Sequence, residues 1–260
     1  MKYVIYASII LFTILFSTLI GYLIPMMYRE QKFKKFWKKC PNCEKEKSKD
    51  EIYNVFNFWK FGGYCKKHKT PVYKNILFTV LFTVFSLSPF LIEYIFTNNI
   101  ITVNSICTYI VSMMLIYATI TDFKGLVIPD MCHIVFFAVG LFVTIYTSFF
   151  PTENSIHWSA HLIGMICISL PFFLMCLLGK SGFGDVKMFA TIGLLLGWKK
   201  LLLVFLIAVV LGCLYALFKR ITSKDLKWKS EIPFGPFICI GTYIAMTIGD
   251  YVIRAYLQLF

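Results

Sequence analysis

Charged residues are scarce in this chain, and acidic residues are the scarcest of them. Of 260 residues, Asp and Glu together contribute 13, and all charged types make up only 15%. A soluble domain of this length carries far more polar surface, so the composition excludes an ordinary soluble globular fold. Hydrophobic residues make up 58% of the chain, and its mean hydropathy is +0.73. Apolar runs of about 20 residues recur, which is the length of a helix that spans a bilayer.

The apolar runs predict an all-α polytopic membrane protein with about eight transmembrane helices. The sixth run is short, and a tilted helix or a thinner bilayer would accommodate it. The first run is longer than a signal-peptide core, and no small-x-small cleavage site follows it, so we expect a retained first span with its N-terminus outside. The predicted spans are residues 3–27, 75–96, 100–120, 131–150, 161–178, 186–196, 201–218 and 234–257.

The formal net charge of +13 is concentrated between apolar runs. Fourteen of the 26 Lys and Arg residues lie in 29–74, and five lie in 219–229. Basic loops stay on the cytoplasmic side, and anionic lipid headgroups attract them. The distribution therefore indicates a lipid bilayer, and not nucleic acid, as the partner. With both termini outside, the chain would lie in the inner (cytoplasmic) membrane, with segments 121–130 and 179–185 facing the cytoplasm.

An aspartate follows two closely spaced glycines between apolar runs. Segment 182–187 reads Gly-Phe-Gly-Asp-Val-Lys, so Gly182 and Gly184 precede Asp185. Glycine permits tight, irregular backbone, which at membrane depth is tolerated only inside protein or along a wet cavity. A carboxylate held there would face water. The alternative is a Gly-rich turn in which Asp185 caps a helix that starts at Val186.

A second aspartate, Asp122, follows the predicted span that ends near Ile120, on the same side of the membrane as Asp185. Asp122 alone also fits a helix-end or turn aspartate. The pair suits aspartyl protease chemistry, in which an ionised carboxylate takes a proton from water and a protonated one polarises the scissile carbonyl. Because neighbouring like charges resist ionising together, one of the two keeps its proton. Lys187 would tune the charge of Asp185 or orient substrate, and the alternative is a lysine that extends to the interface.

Three of the nine cysteines lie outside the apolar runs, in the basic segment 28–74. Cys40 and Cys43 form a Cys-x-x-Cys pair, and Cys65 and His68 form a Cys-x-x-His pair after 21 intervening residues. Four such ligands suit a structural zinc ion. Because a cytoplasmic loop is reducing, we expect zinc, and not disulfides, to stabilise this small domain. Free thiols and a Cys-x-x-Cys redox motif are the alternatives.

Together these motifs resemble the type IV prepilin peptidases, members of the Gly-x-Gly-Asp group of intramembrane aspartyl proteases. Asp122, followed after six residues by Pro129 and Asp130, resembles the first aspartate motif of that family. The segment 182–188 resembles the second. The sequence Ile-Pro-Phe-Gly-Pro at 232–236 resembles the segment before the last helix of the family, so the resemblance covers most of the chain.

The resemblance implies an endopeptidase with Asp122 and Asp185 as its catalytic pair. It would remove the short basic leader of prepilins or pseudopilins, just before their hydrophobic helix, at the cytoplasmic membrane face. Many members also methylate the new N-terminus with S-adenosylmethionine. The chain would then divide into a first transmembrane helix (1–27), a cytoplasmic zinc-knuckle domain of methyltransferase type (28–74) and a transmembrane peptidase domain (75–260). The active-site loops would contribute Pro129, Asp130, Gly182, Gly184 and Lys187.

The chain also departs from the family pattern at three places. Differences at 21–25 and at Lys74 bear on methylation, and Lys124 bears on substrate preference. The alternatives are an intramembrane protease for other leader peptides, a proton- or cation-coupled transporter, and an inactive scaffold that binds pilins. Presenilin-like proteases lack the Cys/His loop, and a transporter would carry inverted repeats, which the sequence does not display.

Overall fold

The computed structural model describes residues 2–27, 72–97, 102–150, 156–179, 182–222 and 232–258. Within these ranges every regular element is an α-helix and no strand occurs, which confirms the predicted all-α class. In chain order the helices are α1 (Lys2–Met27), α2 (Val72–Thr97), α3 (Val103–Gly125), α4 (Asp130–Phe149), α5 (Trp158–Cys167), α6 (Ser169–Leu177), α7 (Phe183–Thr222), α8 (Gly235–Thr247) and α9 (Gly249–Leu257).

The described helices are suited to a bilayer. Five spans are long and apolar enough to cross a membrane, and a sixth results if α8 and α9, which meet at 75°, count as one. Large apolar side chains such as Leu81, Ile134 and Leu206 are exposed on the helix surfaces, where lipid would cover them. The chain is therefore a multi-pass membrane protein. The described helices thus give five or six spans, fewer than the eight predicted, partly because the two predicted spans within α7 are counted as one helix.

The chain divides into two compact units, residues 1–91 and 92–260. In the first unit, Phe16 of α1 contacts Phe82 of α2, with ring centroids 6.4 Å apart. Buried hydroxyls of α1 donate to carbonyls of their own helix, as Ser17 Oγ does to Ile14 O at 2.8 Å. These polar groups therefore need no water inside a bilayer.

Helix α7 forms the core of the second unit and contacts α4, α5, α6, α8 and α9. Its closest neighbour is α5, because glycines face each other where the two helices meet. A Cβ atom added to Gly164 would lie 2.5 Å from the carbonyl oxygen of Gly193. Small residues allow transmembrane helices to approach in this way, so neither position accommodates a side chain.

Gly197 divides α7 into two antiparallel arms, 183–196 and 198–222. Its backbone, with φ 73° and ψ 166°, is not helical, and glycine adopts such a positive φ without steric cost. The rings of Phe189 and Phe205 have centroids 6.1 Å apart, whereas a straight helix would separate these residues by about 24 Å. The predicted turn at 197–200 is therefore narrower than expected, since only Gly197 leaves the helix.

Two helix ends differ from the sequence prediction in ways that affect the site. Helix α3 continues past the predicted end near Ile120, so Asp122 lies within the helix and not after it. Helix α7 begins at Phe183, so Asp185 lies in its first turn and does not cap a helix starting at Val186. Hydropathy places a span end where charged residues begin, but a helix continues when a tertiary contact satisfies the polar side chain.

Four phenylalanines hold the second unit together around α7, and we call them the phenylalanine cluster. Phe172 of α6 and Phe189 of the first arm have ring centroids 4.7 Å apart. Phe205 of the second arm lies 6.0 Å from Phe172, and Phe234, just before α8, lies 6.1 Å from it. Such aromatic pairs add stabilisation beyond the area that they bury.

Candidate active site

Asp122 is a buried carboxylate in the last turn of α3. Its side chain is only 5% exposed, and its Oδ2 accepts a hydrogen bond from the backbone N–H of Gly235 at 2.9 Å. Gly235 is the first residue of α8. An N–H group at the start of a helix has no partner within its own helix and favours a negatively charged acceptor. Residues 113 positions apart in sequence therefore fix the first aspartate.

Gly235 is required by this close approach. A Cβ atom at position 235 would lie 2.8 Å from Asp122 Oδ2 and 3.1 Å from Ile128 Cδ1. Both distances are shorter than ordinary van der Waals contact. The Pro-Phe-Gly-Pro segment was noted in the sequence, but no role could be assigned to its glycine, because the reason lies in a distant side chain.

The chain leaves α3 through a strained residue. Leu126 has left-handed backbone angles, φ 54° and ψ 33°, and among the described residues it is the one non-glycine residue with a positive φ. Its N–H donates to the carbonyl oxygen of Asp122 at 2.9 Å. Left-handed backbone costs an L-residue about 1–2 kcal/mol, and such strain clusters at functional sites. The turn directs the chain back towards α4 beside Asp122.

Asp185 lies half-buried in the first turn of α7. The expectation that its glycines form irregular backbone is wrong for Gly184, which lies within the helix. A Cβ atom on Gly184 would meet Ile128 at 3.7 Å, and one on Gly182 would meet Asp185 Oδ2 at 3.7 Å. Both are ordinary contacts, so neither glycine is sterically required in this conformation.

Asp122 and Asp185 line one cavity of about 890 Å³, which we call the aspartate cavity. They are close enough for their charges to interact. The end of α3, the start of α7 and the segment before α8 meet at this end of the second unit, which brings the two carboxylates together as the topology predicted. The other described residues that line the cavity are Leu126, Val127, Ile128, Asp130, His133, Phe172, Met175, Gly179, Gly182, Phe183, Gly184, Lys187, Ile232, Pro233 and Phe234.

An ion pair borders the aspartate cavity. Lys187 Nζ lies 2.7 Å from Asp130 Oδ1, and both side chains are largely exposed. Lys187 also lies 5.2 Å from the ring centroid of Phe183. The ion-pair partner of Lys187 is thus Asp130, and the expectation that Lys187 tunes the charge of Asp185 or orients substrate stays a prediction. Pro129 is buried at the start of α4 and, among the described residues, is not part of the cavity lining.

The sequence analysis missed His133, which lines the aspartate cavity three residues after Asp130. It is 6% exposed, and neither ring nitrogen has a hydrogen-bond partner among the described residues. The sequence does contain one indication of its importance: His133 is a polar residue within an apolar run, at a spacing that places it on the same helix face as Asp130.

A second cavity, of about 440 Å³, lies near the Gly197 turn at the other end of the first arm of α7. His161, only 1% exposed, lines it. Its Nδ1–H donates to the carbonyl oxygen of Leu194 at 2.8 Å. Lys200 and Asp250 form an ion pair of 2.7 Å at the same cavity. Neither Asp122 nor Asp185 lines the second cavity.

The predicted zinc ligands Cys40, Cys43, Cys65 and His68 lie outside the described residues, so the zinc site stays a prediction. Within the described ranges, no group of three or more His, Cys, Asp or Glu side chains could hold a metal ion. The domain boundaries at 27 and 74 stay predictions as well, since residues 28–71 are not described.

Known proteins similar to this chain are leader peptidases. The model of the type IV leader peptidase family matches residues 109–217, a range that contains both aspartates. A prepilin leader peptidase/N-methyltransferase of Legionella pneumophila is 28% identical, and the match covers 94% of this chain and 92% of that protein. The central part of the chain is thus similar to the type IV leader peptidase family. The match to the family model also contains the strained turn at Leu126 and the Lys187–Asp130 pair, whereas Gly235 follows it.

Two further relatives carry the same name as the Legionella protein. The Aeromonas salmonicida protein is 26% identical over 59% of this chain, and the Bacillus subtilis protein is 30% identical over 56% of it. The chain spans 53% and 57% of their lengths, respectively. No solved structure matches the chain. These names favour a leader peptidase over the transporter and scaffold alternatives.

Proposed function

We propose that this chain is an aspartyl endopeptidase that removes the short basic leader of type IV prepilins or pseudopilins. Asp122 and Asp185 would be its catalytic pair. The observation that carries the proposal is that these two carboxylates line one cavity at one end of the helical unit. The name shared by the relatives, prepilin leader peptidase/N-methyltransferase, supplies the substrate class.

The environment of each carboxylate suggests its role. Asp122 accepts the Gly235 N–H, and a donated hydrogen bond suits the ionised form. Asp122 therefore acts as the base and removes a proton from the water that attacks the scissile carbonyl carbon. Because two neighbouring carboxyl groups resist ionising together, Asp185 would keep its proton and donate it to the carbonyl oxygen. The tetrahedral diol then collapses as a proton passes to the amide nitrogen and the C–N bond breaks, which leaves a carboxyl on the leader and an amine on the mature chain.

The charge of the aspartate cavity supports a basic leader as substrate. Its described lining includes three carboxyl groups, those of Asp122, Asp130 and Asp185, of which two are ionised in this mechanism, against one ammonium group, that of Lys187. Complementary charge guides a partner to such a site and fixes its register. The hydrophobic helix that follows the leader would lie in the lipid beside the exposed apolar faces of the helices.

The proposal includes eight spans in the cytoplasmic membrane. The two arms of α7 would be separate spans, α5 with α6 would form one, and α8 with α9 another. The basic segment 28–74 would then lie in the cytoplasm, and the aspartate cavity would open on the same side. Labelling of a single cysteine introduced into 219–229 with a membrane-impermeant reagent tests this orientation. Labelling of intact cells, without permeabilisation, would contradict it.

Two further proposals concern the segment 28–74. We propose that Cys40, Cys43, Cys65 and His68 hold a structural zinc ion, and the zinc content of the purified native chain and of Cys43→Ser tests this. N-methylation with S-adenosylmethionine rests on the names of the relatives. The mass of the mature N-terminal peptide shows whether a methyl group has been added.

The decisive experiment follows leader removal from a prepilin co-expressed in membranes, by gel and by N-terminal sequencing. Asp122→Asn and Asp185→Asn keep the side-chain shape and remove the titratable group. Each should lower the cleavage rate by about 10²–10⁴-fold or more, as expected for loss of acid–base catalysis. Asp250→Asn is the matched control, because that carboxylate lines the second cavity. Native cleavage by either dyad variant would refute the assignment.

A further inference from the structure

His133 is held on the wall of the aspartate cavity, close to the Lys187–Asp130 ion pair. It lies in the first turn of α4, three residues after Asp130, and residues with this spacing share a helix face. The charges of Lys187 and Asp130 both act on its ring. The first turn of α4 and the first turn of α7 therefore place His133 in the same cavity as Asp185.

The hydrogen-bonding state of His133 is unusual for a buried side chain. Both ring nitrogens are buried and neither has a partner among the described residues. His161 differs, because its Nδ1 is bonded to Leu194 O. In the described part of the chain, His133 is the one side chain with two buried polar atoms left unpaired. Native proteins rarely leave such groups unpaired, and those that persist call for a functional or solvent explanation.

We propose that His133 is a substrate-binding residue that hydrogen-bonds to the backbone of the leader peptide beside the scissile bond. The proposal rests on the proposed peptidase function. A neutral imidazole offers one donor and one acceptor, and an extended peptide offers a C=O and an N–H. Substrate entering the cavity would supply partners for both nitrogens, which have none among the described residues. His133 lines the same cavity as Asp122 and Asp185, so that contact would be made within the cavity that holds the reacting bond.

The test separates binding from stability. His133→Phe retains a planar ring and removes both hydrogen-bonding atoms, whereas His133→Gln retains a donor and an acceptor. The probe is a fluorescent synthetic peptide comprising a basic leader and the start of a pilin helix. Its binding is measured with the full chain in nanodiscs, in the cleavage-defective Asp185→Asn background. His161→Phe is the matched control, since it removes an imidazole from the second cavity.

We expect His133→Phe to weaken peptide binding about tenfold, the effect of losing one or two hydrogen bonds. In the otherwise native enzyme, KM should rise by a similar factor with kcat little changed, because a contact made equally in ground and transition states is lost. The melting temperature should be unchanged or higher, since two unpaired buried atoms are removed. His133→Gln should retain most of the binding, and His161→Phe should lower the melting temperature without affecting binding.

Three outcomes would overturn the inference. Peptide binding by His133→Phe that matches the parent chain would show that substrate does not contact the ring. A lower melting temperature with unchanged binding would indicate that internal water pairs with His133 in a structural role. Equal loss of binding in His133→Gln and His133→Phe would show that shape, and not hydrogen bonding, matters. Cleavage by Asp185→Asn itself would instead overturn the proposed function.

Discussion

Replacement of Gly235 by alanine is the sharpest test of how the first aspartate is held. The new Cβ atom would lie 2.8 Å from Asp122 Oδ2, while ordinary contact begins near 3.4 Å. The carboxylate or the start of α8 must therefore move by about 0.6 Å. The same movement would lengthen the Gly235 N–H bond to Asp122, now 2.9 Å, to about 3.5 Å, at the limit of a hydrogen bond.

The cost of this substitution follows from two terms. Overpacking in a well-packed region costs about 1–3 kcal/mol, and a hydrogen bond to a charged group contributes about 1.5–3 kcal/mol. The terms share one movement and do not add fully, so we expect a loss of about 2–4 kcal/mol in the free energy of unfolding. A misplaced Asp122 should also lower the cleavage rate by about 10- to 100-fold.

Thermal unfolding in detergent and leader cleavage measure these effects. Gly184→Ala is the control for stability, because its Cβ atom would meet only ordinary contacts at 3.7 Å and alanine is a better helix former than glycine. In an Asp122→Ala background the carboxylate is absent and only the close contact with Ile128 Cδ1 remains, so Gly235→Ala should cost less. A Gly235→Ala chain that melts and cleaves as the native chain does would refute the described Asp122–Gly235 contact.

Further predictions concern helix packing and the two ion pairs. Gly193→Ala should lower the free energy of unfolding by about 3 kcal/mol or more, because its side chain would overlap the backbone at Gly164. Gly249→Ala is the control and should not lower it, because its side chain would meet only ordinary contacts. Equal melting temperatures for the two variants would contradict the described contact between α5 and α7. Lys187→Met should lower the melting temperature less than Lys200→Met, because Lys200 is 14% exposed and Lys187 40%, and exposed ion pairs contribute little. The reverse order would show that the Lys187–Asp130 pair contributes more than its exposure indicates.

The sequence was informative about the fold class and about the meeting of the two aspartates. Apolar runs separated by basic loops predicted a helical membrane protein, and alternation of the spans placed Asp122 and Asp185 on one side. Both lie in one cavity, because the C-terminal end of one helix and the N-terminal end of another, antiparallel helix meet at the same level. This prediction needs only the number of times that the chain crosses the membrane between Asp122 and Asp185.

The details that were missed depend on contacts between distant segments. The end of α3 was placed before Asp122 because a charged residue lowers hydropathy, yet the helix continues where Gly235 satisfies the carboxylate. The need for glycine at 235 follows from a clash with that same carboxylate. Whether the ring of His133 has partners likewise depends on the packing of neighbouring helices, on which a single sequence carries no direct signal.

The buried side chains of the first arm of α7, Phe189 of the phenylalanine cluster among them, have a consequence for the passage of protons. Along the first arm of α7, Asp185 lines the aspartate cavity and Leu195 lines the second cavity, about 15 Å further along the helix. Met188, Phe189 and Ile192 lie between them and are fully buried. The three side chains form an apolar layer between the two cavities along this arm. Such a layer hinders the passage of protons along this arm from the two aspartates to the second cavity.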